Sequence, residues 1–176
     1  MKGILGGNPQ KEPLHYGEVF DLYTALATHQ GAVAGYQVYL NHTGDSDLHN
    51  ILEDKIENIL KPNIQQLSEI LKANGIALPP APPERPKADL EAIPVGARIN
   101  DAEIAVAVSA DTSASLVTFS QVIGKSIRED IAMMFGQFHM VNAQYGAKLL
   151  KLMKTKGWLV PPPLHIPQGT PEEVLV

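Results

Sequence analysis

The sequence predicts an all-α protein: a four-helix bundle whose second and third helices are joined by a long proline-rich crossover. Three observations predict it. Apolar residues recur at helical spacing in four separate stretches. The alternation and hairpin turns that announce strands are missing. Residues 75–94, GIALPPAPPERPKADLEAIP, form a connector far longer than the roughly 2–8 residues usual between bundle helices. Proline keeps such a segment extended at about 3.1 Å per residue, so about 20 residues can run the length of a bundle. One long crossover of this kind is the ferritin-like connectivity.

The first helix is expected from about His15 to His42, with Val19, Leu22, Tyr23, Leu26, Val33, Tyr36 and Leu40 on its apolar stripe. Gly44 stops it, and Asp45 and Ser46 offer N-caps for the second. That helix carries Leu52, Ile56, Ile59, Leu67, Ile70 and Leu71, and ends at Asn74-Gly75. Pro62 lies inside the pattern and is expected to remove a hydrogen bond and kink the helix near Asn58. The third helix opens at Asn100 with a capping box to Glu103 and continues through Ile104, Val108, Leu116, Phe119 and Val122. Gly124 and Lys125 are expected to turn the chain, and Ser126 to open the fourth helix with a second capping box to Glu129. Ile131, Met134, Phe135, Phe138, Val141, Tyr145, Leu149 and Leu152 follow, and Gly157 stops the chain. Trp158, after that stop, is expected to fold onto the end of the bundle. The reading is one domain over residues 1–176: a helical hairpin over 14–74, the crossover over 75–98, a second hairpin over 99–157 and a tail over 158–176.

Composition narrows the function classes. A net charge of -5 disfavours nucleic acid, and Lys148, Lys151, Lys154 and Lys156 suit the last turns of a helix. Without cysteine there is no disulfide, thiol catalysis or thiolate metal site. The N-terminus lacks the apolar stretch of a signal peptide, and no uninterrupted apolar run approaches transmembrane length. The expectation is therefore a cytoplasmic protein with no membrane insertion.

Three helices are short of charge. Leu22–Gly44 and Ile131–Ala147 contain no Asp, Glu, Lys or Arg, and Ile104–Gly124 contains only Asp111. The second helix, with Glu53, Asp54, Lys55, Glu57, Lys61, Glu69 and Lys72, shows the charged outer face normal for a bundle. Either Gln, Ser, Thr and Asn solvate the other three, or a partner subunit, the crossover or the tail covers them. The second alternative predicts a homodimer or larger homo-oligomer.

A di-iron site would need Glu-x-x-His on two helices, and the sequence has none. His15 with Glu18 and His49 with Glu53 approximate it only near helix ends, where solvated surface residues are expected. Gly124-Lys125-Ser126 lacks the leading glycine and strand of a phosphate loop, and Asn41-His42-Thr43 is a glycosylation match without a secretory signal. More informative is a layer at mid-bundle depth: His29 or Gln30, Asn63, Asp111, and His139 with Asn142. One reading is a hydrogen-bonded layer of Gln30, Asn63, Asp111 and Asn142 that fixes helix register. The other is a ferritin-like metal-binding protein or oxidase with an unusual mononuclear site from His29, Asp111 and His139. A single carboxylate is too few for oxygen-activating iron, so neither stoichiometric metal nor any cofactor or catalytic residue is expected. A mid-bundle cavity lined by Tyr23, Tyr36, Phe138 and Tyr145 would suit a small molecule, although core packing explains those rings equally.

The stretches GIALPPAPPERPKADLEAIPVGARINDAEIA and SIREDIAMMFGQFHMVNAQYGAKLLKLMKTKGWLVPPP resemble a group of uncharacterised proteins of spore-forming bacteria related to spore coat protein F. Arg128, Asp130, Met153, Gly157, Trp158, Leu159 and the following Pro-Pro carry the resemblance most clearly. Many relatives carry this unit twice; this chain has one copy. The resemblance implies a ferritin-like bundle, a structural role in the spore coat, and other coat proteins as partners. It carries over no catalytic residues.

Overall fold

A computed structural model describes residue 8 and residues 11–165. Among the described residues the chain is all-helical, without a strand. Helix α1 spans Tyr16–His42 and α2 spans Ser46–Lys55. A π-helical turn, Ile56–Leu60, carries α2 without interruption into α3, Lys61–Ala73. The proline-rich segment follows, holding only two short 3-10 turns, Leu90–Ala92 and Val95–Ala97. Helices α4, Asp101–Lys125, and α5, Glu129–Lys156, complete four helical rods.

Local chemistry explains most boundaries. Asp45 caps α2 by accepting the Asp47 and Leu48 N–H groups, each at 3.0 Å. Asn100 and Glu103 form the expected capping box of α4, with both bonds at 2.9 Å. Gly75 and Gly157 each take φ +70°, the left-handed conformation that ends a helix and that glycine adopts without strain. Past Gly157, the Trp158 N–H returns to the Met153 carbonyl at 2.9 Å, and the ring packs partly buried against the core. The part of the tail over 166–176 lies outside the described residues.

Three boundaries depart from expectation. His15 and Glu18 are not loose surface residues. The His15 ring caps α1, accepting the Gly17 N–H at 2.9 Å, while Glu18 reaches back to the His15 N–H at 3.2 Å. Gly124 lies inside α4 rather than ending it, and Ser126 forms no capping box with Glu129. Its hydroxyl instead donates to the Val122 carbonyl, and the distant Glu18 carboxylate accepts the Ile127 and Arg128 N–H groups at 2.9 and 2.8 Å. Near Pro62 the helix widens: the Lys61 N–H bonds the Ile56 carbonyl, five residues back. The π turn absorbs the missing proline donor and turns both Ile59 and Leu60 into the core.

Contacts between helix ends fix the chain directions. Lys125, ending α4, pairs with Asp21 near the start of α1 at 2.8 Å, so these two run antiparallel. Lys156, ending α5, pairs with Asp45 at the start of α2, and Arg128, before α5, bonds Asn74 after α3. The α2–α3 rod therefore runs antiparallel to α5 and in the direction of α4. Between these parallel rods, Ile76 and Leu78 pack at one end of the bundle. Arg85 and Ala88 then bond Gln37 and Asn41 near the end of α1.

Apolar side chains gather in two clusters. One holds Tyr36, Leu48, Leu52, Ile104, Val108, Tyr145 and Leu149. The other holds Leu22, Leu26, Leu67, Leu71, Phe119, Phe135 and Phe138. On every rod a buried polar residue interrupts the stripe between the clusters: His29, Asn63, Thr112 and Asn142. Although no uninterrupted apolar run has that length, residues 95–125 are apolar enough over an 18-residue window, at mean hydropathy 1.2, to cross a membrane by length and composition. Here the inward stripe of α4, Ile104, Val108, Phe119 and Val122, is buried in the bundle.

Candidate functional site

The layer between the clusters is the most chemically unusual part of the interior. Helix α1 places His29 there, 6% exposed. Its Nδ1 lies 2.7 Å from the Ala25 carbonyl and its Nε2 lies 3.3 Å from Asn63 Nδ2. The ring therefore donates through Nδ1 and accepts through Nε2, which is the neutral form. Burial, reinforced by the charge of Lys55, lowers its pKa from 6.5 to about 4.

Lys55, at the end of α2, is 2% exposed. Its ammonium donates to Asn142 Oδ1 and lies 4.6 Å from the centre of the Tyr145 ring, a cation–π arrangement. Burial lowers its pKa from 10.5 to about 8, and nearby Asp111 opposes that shift. Asp111 accepts the Tyr36 hydroxyl at 2.8 Å. Asn142 reaches the Thr112 carbonyl at 3.5 Å. Burial raises both the Tyr36 and Tyr145 phenols, and among the described residues the buried Tyr145 hydroxyl has no partner.

Asn63, Asp111 and Asn142 line one void together with His29. Gln30 does not line it; its buried Oε1 has no partner among the described residues. His139 does not line it either, being a half-buried residue one turn from the layer's Asn142. Among the described residues no three His, Asp or Glu side chains converge on a possible metal position, so the set His29, Asp111 and His139 is not brought together. The rings proposed to line a cavity are divided instead: Tyr36 and Tyr145 belong to one cluster, Phe138 to the other, and Tyr23 is exposed.

Sequence reasoning missed Lys55 by counting it with the charged outer face. The signal was available. Leu48, Leu52, Lys55 and Ile59 follow one another at spacings of four, three and four, which places the lysine on the apolar stripe. Beside the layer, a groove of about 430 Å³ opens between α1 and α4, walled by Phe20, Ala25, Phe119 and Val122, and reaches His29 and Asp111.

The chain is a member of the family described as protein of unknown function (DUF3231), which matches residues 2–170. It is 57% identical over 164 residues to the uncharacterised protein YvdQ of Bacillus subtilis (strain 168), spanning 93% of this chain and 96% of that one. It also matches a crystal structure from Bacillus halodurans C-125, described as a candidate spore coat protein. The TM-score is 0.89 at 56% identity, over 91% of this chain and all of the other.

Proposed function

We propose that this family member is a non-catalytic structural protein of the spore, a ferritin-like four-helix bundle crossed by its proline-rich segment, which self-associates through charge-poor helix faces. The observation that carries the reading is the likeness to the Bacillus halodurans protein over nearly the whole chain. The direction of the rods and the bonds from Arg85 and Ala88 to α1 support the crossover. Exposed Tyr16 and Phe20 on α1, Val106 and Val117 on α4, and Met133 and Met140 on α5 support self-association. Partners of the proposed kind are a second copy and other coat proteins, with neither nucleic acid nor membrane insertion involved. A metal-binding role has less support, because the layer spends both His29 nitrogens on internal hydrogen bonds.

A fluorescent fusion followed through sporulation in Bacillus subtilis tests the location. Signal collecting at the forespore surface and remaining with extracted coat is expected; uniform cytoplasmic signal overturns it. Light scattering at micromolar concentration tests assembly, and a clean monomer near 19.1 kDa rejects it. In a dimer, Ala107→Glu or Ala114→Glu on α4 should weaken association, whereas Glu57→Lys should not.

A further inference from the structure

We propose that the mid-bundle void is a binding site for one water molecule, which bridges the Lys55 ammonium to the Asp111 carboxylate. The void measures about 20 Å³ and its polar lining is Thr28, Lys55, Asn63, Asp111, Ser115 and Asn142, with His29 and Phe119 beside them. One water needs about 10–15 Å³ on this measure and two to four polar partners.

The hydrogen-bond inventory decides the occupant. Lys55 carries three donors, of which Asn142 takes one. Asp111 gives one oxygen to Tyr36 and, among the described residues, its other oxygen has no protein donor. Asn63 gives its amide nitrogen to His29 and keeps its oxygen. His29 has no nitrogen left. Among the described residues Lys55 and Asp111 form no direct ion pair, yet both line this void. The space therefore offers donors on one side and acceptors on the other. A cation would meet the ammonium, an anion would meet the carboxylate, and an apolar group would satisfy neither. Water accepts from Lys55 while donating to Asp111 and to Asn63 or Ser115. The bridge ties the end of α2 to α4 and gives the buried ammonium a counter-charge at one remove.

Magnetic relaxation dispersion of the water signal counts long-lived internal waters. Wild type, Lys55→Met and Ser115→Thr are the samples. Each variant is expected to hold one such water fewer than wild type. The methyl added in Ser115→Thr occupies about a water's volume and should lower the melting midpoint by about 2–4 °C. An unchanged water count with a raised midpoint means that the methyl filled a dry space, and overturns the proposal. If Lys55→Met does not fold, a high-resolution crystal structure of wild type decides. A water within hydrogen-bond distance of both Lys55 Nζ and Asp111 supports the site; a dry void or a direct Lys55–Asp111 contact overturns it.

Discussion

At the α4–α5 turn, Glu18 is 0% and Arg128 2% exposed, and partners surround both. Glu18 accepts three backbone N–H groups, from His15, Ile127 and Arg128. Arg128 forks onto Asp130 at 3.0 and 2.6 Å and also reaches the Glu12 carbonyl and Asn74. At mid-height Lys55 is buried as deeply, but its protein partners are one amide oxygen and one aromatic face. Burial is therefore common to both regions and partner count is not. A buried charge is costly to the extent that its donors and acceptors go unmatched. The turn should stabilise the fold, whereas the layer should cost stability and respond to pH.

Glu18→Ala tests the first half of that contrast and carries the largest expected effect. It strands the Ile127 and Arg128 N–H groups and removes a carboxylate whose charge favours the buried Arg128 guanidinium. The expected loss is about 3–5 kcal/mol by urea denaturation. Glu18→Gln retains one acceptor oxygen and should lose clearly less. A loss below about 1 kcal/mol for the alanine variant would break the comparison, since surface carboxylates behave that way.

The layer's response to pH comes next. The pKa of Lys55 falls from 10.5 to about 8 on folding, so between those values the unfolded chain binds more protons. Stability should rise with pH across that window. The span corresponds to about 3 kcal/mol. For His29, lowered from 6.5 to about 4, the unfolded chain also binds more protons. Its contribution is intact above 6.5 and lost as pH falls toward 4. Stability curves of wild type, Lys55→Met and His29→Gln isolate each limb from other titrating groups. A basic limb that persists unchanged in Lys55→Met assigns it elsewhere.

Much of the fold was legible in the sequence, but neither side of this contrast was, and the reasons are physical. Helical period places α1, and caps place the start of α2 and the start of α4, because those signals are local. The layer's Asn63, Asp111 and Asn142 are legible as polar interruptions of apolar stripes. The α4–α5 turn was misjudged because its cap comes from Glu18, more than a hundred residues away, and no local pattern encodes a tertiary cap. Pro62 reads as a kink, yet the backbone answers with a π turn, a choice that depends on how many apolar residues the core can admit. Lys55 follows the apolar stripe, but its residue type argues for solvent, and position prevails over type.

Asn142→Leu sharpens the layer directly. It removes the ammonium's one acceptor among the described residues and should cost about 2 kcal/mol, a typical penalty for an unpaired buried group. Adding Lys55→Met should then recover much of the loss, because both partners are replaced by apolar groups of similar size. A double-mutant cycle should report coupling of about 1–3 kcal/mol. Additive losses would mean that the lysine is solvated by something other than Asn142.

The smallest effect separates partner count from burial. Asn41 matches much of what Glu18 does: its oxygen accepts the Ala88 N–H at 3.0 Å and its amide donates to the Pro86 carbonyl at 3.1 Å. Both bonds hold the proline-rich segment, and both are exposed. When Asn41→Ala removes them, water replaces the lost partners. Each bond then contributes only its net worth, and the total loss should be about 1 kcal/mol. The local consequence should exceed the global one. With Arg85 still held by Gln37 on one side of the freed stretch, cleavage by a protease should rise between residues 86 and 92, at a midpoint lowered by about 2–4 °C. A loss as large as that of Glu18→Ala would show that the number of bonds matters and burial does not. Unchanged cleavage would show that prolines alone hold the segment extended against α1.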